Sequence, residues 1–230
     1  MGVARDVSRR ARGAGARRVA IWLCLVGLPL AYEASGFLPS VYHYYSGEAD
    51  YWYAGLILRL VLVLVGVGIV GWALWRSGQS LADVGWPRPL RPWHLIVAGV
   101  LLVGALALAL HQPGSVSTGA LPASASTPVG LQERLWFWAL SVCEAVGQEL
   151  IWRGALIRWL EPSLGTVGAA LLAGVSFVFF HQGFGMSWPT LRIVLPVTLV
   201  YTALFLWRKN VAPSTFLHFV LTAGQLSIPA

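Results

Sequence analysis

Three clusters of polar side chains lie within strongly apolar segments of the last hundred residues, and their types could hold and activate a water molecule. The clusters are Glu144, Gln148, Glu149 and Arg153 in the first segment, His181 in the second, and His218 with Thr222 in the third. Ionisable groups inside apolar helices are costly and usually face the interior of a helix bundle. Glu149 precedes Arg153 by four residues, the favourable order for a helical ion pair, which keeps the carboxylate ionised. The pattern predicts a buried polar site.

Two histidines and a carboxylate on separate helices suit two kinds of chemistry. They can bind zinc, or they can hold a water molecule and remove its proton. The sequence contains no HExxH motif, which would favour a metal. A bound zinc ion and the absence of any cofactor therefore both stay open. If a metal binds, we expect Glu149, His181 and His218 to be its ligands. A structural interpretation also stays open, in which Glu149 and Arg153 only lock a helix in place and each histidine is a buried hydrogen-bond donor.

The composition identifies a membrane protein. Of the 230 residues, 57% are hydrophobic and 11% are charged, whereas about a quarter of a soluble domain is charged. Apolar runs predict an all-α bundle of about seven transmembrane helices. The predicted spans are 19–39, 55–75, 94–110, 135–158, 164–181, 190–207 and 211–228. The net charge of +7 comes mostly from arginines at the ends of these runs, which indicates membrane topology and excludes a nucleic-acid partner.

The charge pattern also predicts the organisation of the chain. Residues 1–18 form a basic tail that we expect in the cytoplasm, because positive charge marks the cytoplasmic side. Residues 19–134 hold the N-terminal transmembrane helices and an external loop, and 135–230 form a core with the three clusters. The bias of the composition to Arg, Ala, Gly and Val suggests a bacterial source. We therefore expect a multi-pass plasma-membrane protein whose partners are the lipid bilayer and a peptide or membrane-protein substrate.

The segments QELIWRG, FVFFH and HFVLT resemble the three motifs of the CPBP (CAAX protease and bacteriocin-processing, or Abi) intramembrane proteases, which include the type II CAAX prenyl endopeptidases. The family pattern is Glu-Glu-x-x-x-Arg, then Phe-x-x-x-His, then His-x-x-x-Asn, and the resemblance covers about residues 135–225. The resemblance implies that Glu149 takes the place of the second Glu and Arg153 that of the Arg. It also implies that His181 and His218 take the places of the two histidines. In the family, the first Glu and the histidines are thought to activate a water molecule, and the Asn to stabilise the oxyanion. A role for a metal has been argued both ways.

The chain departs from the family pattern at two positions. Thr222 stands in place of the Asn and can still donate a hydrogen bond to an oxyanion. Gln148 stands in place of the first Glu, and an amide cannot accept the proton of water, a loss that typically costs ~10²–10⁴ in rate. We expect Glu149 to be the surviving carboxylate, with Arg153 orienting it. Glu144, one turn before Gln148, is the other candidate.

Three functions follow from these observations. The first is an intramembrane endopeptidase in which His181 and His218 position the water. The second is a catalytically impaired relative that binds a peptide or a partner protein, for example in bacteriocin immunity, which Gln148 favours. The third is a proton-coupled transporter, which the lack of an internal repeat disfavours. The predicted spans place His181 ~24 Å from the cytoplasmic face but Glu149 and His218 only ~10 Å from it, which counts against a shared site.

Overall fold

The computed structural model describes residues 13–35, 48–86, 131–182 and 188–224, and in these ranges the regular structure is helical throughout. Helix α1 covers 13–35 and includes a π-helical segment, Leu23–Gly27. The helices that follow are α2 (Glu48–Ser77), α3 (Leu131–Gln148), α4 (Ile157–Gln182), α5 (Trp188–Arg208) and α6 (Ala212–Gly224). A second π-helical segment, Glu149–Leu156, joins α3 to α4, and a short 3₁₀ helix, Leu81–Val84, follows α2. The all-α class is therefore confirmed.

Three helical runs are long and apolar enough to cross a membrane: Gly13–Ala34, Leu58–Ser77 and Ala139–His181. A shorter apolar helix covers Val194–Arg208. These runs mark an integral membrane protein, but the predicted number of about seven spans is not confirmed. The predicted span at 94–110, the external loop and most of the basic tail lie outside the described residues.

A turn at Gly165 folds the longest run into a hairpin. Gly165 has φ 69° and ψ 170°, a backbone conformation that is essentially restricted to glycine. Across the hairpin, the Trp152 indole N–H donates to Ser176 Oγ at 3.0 Å, and the Trp152 and Phe180 rings lie 4.7 Å apart. The two arms therefore run side by side in opposite directions. The first arm, which begins in α3, continues to the turn at Gly165, whereas the sequence analysis predicted that this span ends at residue 158.

The hairpin places Glu149 and His181 at the same level. Glu149 lies sixteen residues before Gly165 and His181 sixteen residues after it, so each is roughly 24 Å along its arm from the turn. The expectation that His181 lies at a different depth is wrong, because it rested on a first arm that ended near residue 158. The objection to a shared site is thereby removed.

The first arm is packed closely by its neighbours. A methyl group added at Gly147 would collide with Val63 Cγ1 of α2, and one added at Gly154 would lie 2.8 Å from the Val84 carbonyl oxygen. The segment that contains Val84 begins with a capping box, in which the Ser80 backbone N–H and hydroxyl donate to the Asp83 carboxylate at 2.7 and 2.9 Å. These bonds lower the pKa of Asp83. Glycines thus allow neighbouring backbone and side chains to enclose the arm.

Candidate active site

The π-helical segment Glu149–Leu156 forms one wall of the site, and all eight of its residues are buried. Short π-helical stretches inside α-helices are rare and are often found at functional sites. The segment begins at Glu149, the first residue of the sequence ELIWRG, and holds both Glu149 and Arg153 within the bundle. Its position makes these two charges part of the interior and not of a lipid-facing surface.

The Glu149 carboxylate joins two helices through one oxygen atom. Arg153 Nη1 donates to Glu149 Oε1 at 3.1 Å, and His218 Nδ1 of α6 lies 3.0 Å from the same oxygen. Glu149 is 0% exposed, Arg153 1% and His218 6%. The hydroxyl of Ser214, one turn before His218, also lies beside the carboxylate. Two of the sequence-predicted clusters therefore meet in a buried ion-paired group.

Aromatic rings enclose this group on the side facing α4 and α5. The Arg153 guanidinium carbon lies 3.8 Å from the Phe177 ring centroid and 5.3 Å from that of Tyr201, which is within the range of a cation–π interaction. The Tyr201 ring also stacks on His218, with centroids 4.8 Å apart and planes at 23°. The sequence interpretation did not include Tyr201, because one tyrosine within an apolar span carries no signal of its role.

The contacts of the two histidines determine which ring nitrogen carries the proton. His181 Nδ1 lies 2.8 Å from the Phe177 carbonyl oxygen, which can only accept, so this nitrogen carries a hydrogen. His218 Nδ1 faces the Glu149 carboxylate in the same way. A neutral imidazole that donates from Nδ1 has a lone pair on Nε2. With ring centroids 6.4 Å apart, the two histidines bring two such acceptors into one cluster.

A second polar network borders the cluster. Gln148 Nε2 donates to Glu144 Oε1 at 2.8 Å, and Arg59 Nε of α2 lies 2.5 Å from the same oxygen. Gln148 directly precedes Glu149 in the chain, which places this network beside the cluster. The sequence interpretation missed Arg59, although an arginine within a predicted span is itself a signal of a buried polar site.

Four buried polar atoms of the site have no hydrogen-bond partner among the described residues: the acceptors Gln148 Oε1 and Glu149 Oε2, and the donors Arg59 Nε and Arg153 Nη2. Thr222 lies one turn after His218 and is partly buried. Its role in binding an oxyanion stays a prediction. The structure therefore brings Glu149, Arg153, His181 and His218 together, with Gln148 alongside them.

A metal bound by Glu149, His181 and His218 stays a prediction. Within the described ranges, no three residues among His, Cys, Asp and Glu are grouped so that they could hold a metal ion, and zinc usually takes at least three protein ligands. Glu149 Oε1 faces Arg153 and the Nδ1 atom of His218. One oxygen of the carboxylate therefore supports His218, while the other, Oε2, has no hydrogen-bond partner among the described residues.

A deeply buried carboxylate–histidine pair, beside a second histidine in a bundle of apolar helices, is an arrangement suited to hydrolysis within a membrane protein. Residues 130–224 match the family model described as "Type II CAAX prenyl endopeptidase Rce1-like". This match bears out the resemblance drawn from the three motifs: residues 130–224 of the chain are similar to the CAAX protease family. No curated protein and no solved structure matches the chain.

Proposed function

We propose that this protein is an intramembrane endopeptidase that cleaves peptide or membrane-protein substrates by attack of an activated water molecule. The similarity of residues 130–224 to a protease family makes peptide hydrolysis the expected chemistry. The observation that carries the proposal is the hydrogen bond between Glu149 and His218 Nδ1, which leaves His218 Nε2 free to take a proton. The site would lie in a bacterial plasma membrane, with the N-terminus in the cytoplasm.

His218 is the general base in this mechanism. A water molecule donates hydrogen bonds to the Nε2 atoms of His181 and His218, and its oxygen attacks the scissile carbonyl carbon while its proton passes to His218. The Glu149 carboxylate stabilises the imidazolium that forms, as a buried carboxylate does in other carboxylate–histidine pairs. His181 has only a neutral carbonyl behind it, so it positions the water. The proton then passes from His218 to the leaving nitrogen as the C–N bond breaks.

Arg153 has two roles in the proposed reaction. Its Nη1 keeps Glu149 ionised and in place, and its unpartnered Nη2 is a donor available to the developing oxyanion, together with the Thr222 hydroxyl. Charged donors to an oxyanion in a dry site contribute strongly to catalysis. With His218 as the base, Gln148 does not have to accept a proton, so the departure from the family motif does not by itself abolish the chemistry. The mechanism uses only these side chains and water.

The proposal is tested by peptide cleavage in detergent or in proteoliposomes, with a fluorogenic peptide library. We expect cleavage by the native chain, its loss in both His181→Ala and His218→Ala, and full activity in Glu161→Gln. Glu161 is a matched control because it is a partly exposed carboxylate paired with Lys209 at 2.6 Å. We also expect activity to survive prolonged treatment with a zinc chelator. Cleavage that appears only in Gln148→Glu would instead identify a catalytically impaired relative.

A further inference from the structure

The side-chain amide of Gln148 is held in one orientation. Its partner is the Glu144 carboxylate, 2.8 Å away, and an ionised carboxylate can only accept hydrogen bonds. The NH₂ group must therefore face Glu144, and the carbonyl oxygen Oε1 must face another direction. Gln148 is completely buried, so this oxygen cannot be satisfied by bulk water.

Arg59 holds the Glu144 carboxylate from the neighbouring helix α2. Arg59 Nε lies 2.5 Å from Glu144 Oε1 and Nη2 lies 3.5 Å from Oε2, so the guanidinium faces both oxygens of a carboxylate that is 4% exposed. Tyr32 of α1 also lies beside the Arg59 guanidinium. The amide of Gln148 is thus the last member of a chain of contacts that links three helices.

Gln148 and Arg153 present an unpartnered acceptor and an unpartnered donor, and Glu149 Oε2 is a second acceptor of the site without a hydrogen-bond partner among the described residues. Among the described residues, neither Gln148 Oε1 nor Arg153 Nη2 has a hydrogen-bond partner, and a buried polar group left unpaired is destabilising. They lie five residues apart on the same wall, near the start of the π-helical segment. A peptide group carries the complementary pair, an N–H that donates and a C=O that accepts.

We propose that Gln148 binds the substrate backbone, with its Oε1 accepting a hydrogen bond from a peptide N–H close to the scissile bond. This assignment rests on the proposed peptidase function. Glu144 and Arg59 are positioning residues that act through Gln148. A glutamine suits the task better than a glutamate, because it donates to Glu144 and accepts from the substrate at the same time. A glutamate at this position would place two buried carboxylates beside the single cation of Arg59.

The assignment has a consequence for substrate selection. Proline has no backbone N–H, so a peptide with proline at the position that faces Gln148 would leave Oε1 unpaired. We expect cleaved peptides to exclude proline at that position. The preference would be set by the backbone of the substrate and would tolerate many side chains there.

The test is an ester scan of a cleaved peptide, in which one backbone N–H at a time is replaced by an ester oxygen. Affinity is measured with His218→Ala chains, which do not cleave the peptide, with and without Gln148→Met. We expect one ester to bind about 3–10-fold more weakly than the amide parent when Gln148 is present. With Gln148→Met, the same ester and its parent should bind equally. Cys143→Ser, an exposed neighbour on α3, should keep the native difference.

Gln148→Asn gives a second variant that keeps the amide but withdraws it by one methylene group, and it should lose the same difference even if Gln148→Met folds poorly. An ester penalty that is identical with and without Gln148 would overturn the assignment and leave the peptidase proposal intact, because cleavage is measured separately. Failure of the native chain both to bind and to cleave every peptide would overturn both.

Discussion

Replacing Glu149 by Gln tests the proposed mechanism most directly, because it removes one charge and leaves the shape of the side chain nearly unchanged. Glu149 Oε1 is the common partner of Arg153 and His218. A glutamine oxygen can still accept these two hydrogen bonds, but it cannot stabilise an imidazolium by its charge. We expect kcat to fall by about 10²–10⁴-fold, which corresponds to about 3–5 kcal/mol of transition-state stabilisation.

The same change also affects folding, so the two effects must be separated. Both members of the Glu149–Arg153 pair are at most 1% exposed, and removal of one partner from a buried pair costs about 3–5 kcal/mol. The rings of Phe177 and Tyr201 lie near enough to the guanidinium to offset part of this cost. The double variant Glu149→Gln/Arg153→Met removes both charges. It should recover most of the stability and none of the activity.

The assay is the rate of peptide cleavage together with the thermal unfolding temperature in the same detergent. Glu161→Gln serves as the control, because its pair with Lys209 is partly exposed and should contribute less than ~1 kcal/mol. If Glu149→Gln unfolds at a lower temperature but cleaves at the native rate when folded, the carboxylate is structural. The carboxylate–histidine pair would then have no part in the chemistry.

Three further predictions follow from the packing of the site. Gly165→Ala should lower stability by about 1–3 kcal/mol through backbone strain alone, because no atom lies within 4 Å of the added methyl group; a thermal melt checks this. Gly154→Ala should be destabilising by about 1–3 kcal/mol for a different reason, since its methyl group would meet the Val84 carbonyl oxygen, and an unchanged melt would contradict it. Tyr201→Phe keeps the ring that stacks on His218 and should retain kcat, whereas Tyr201→Leu should lower it.

The sequence was sufficient to predict the all-α class and the residues that meet in the cluster. Glu149, Arg153, His181 and His218 were identified because ionisable groups are rare in apolar helices and their order matches a known pattern. Their common depth was not predicted, because hydropathy does not locate the end of a helix to within a few residues. Gly165, which determines that depth, has no distinguishing sequence signal beside the other glycines of the segment.

The partners that lie outside the motifs were less predictable. Arg59 is 85 residues away from Glu144 along the chain, and no local periodicity relates the two positions. Tyr201 and Ser214 act by contact with His218 and Glu149, which only the packing of α5 and α6 brings about. The orientation of the Gln148 amide likewise depends on Glu144 and Arg59, so the sequence could show the replacement of a glutamate at this position but not its effect on hydrogen bonding.

The equal arms of the hairpin restrict how the length of this part of the chain can change. One residue inserted in the second arm, after Leu172, would move His181 by about 1.5 Å along the helix and by about 100° around it. That rotation would turn the imidazole away from His218 even though every residue of the site is still present. An insertion of the same size after Ser187, before α5, leaves both arms as they are. The number of residues between Glu149 and His181 therefore determines whether the side chains of the site can meet.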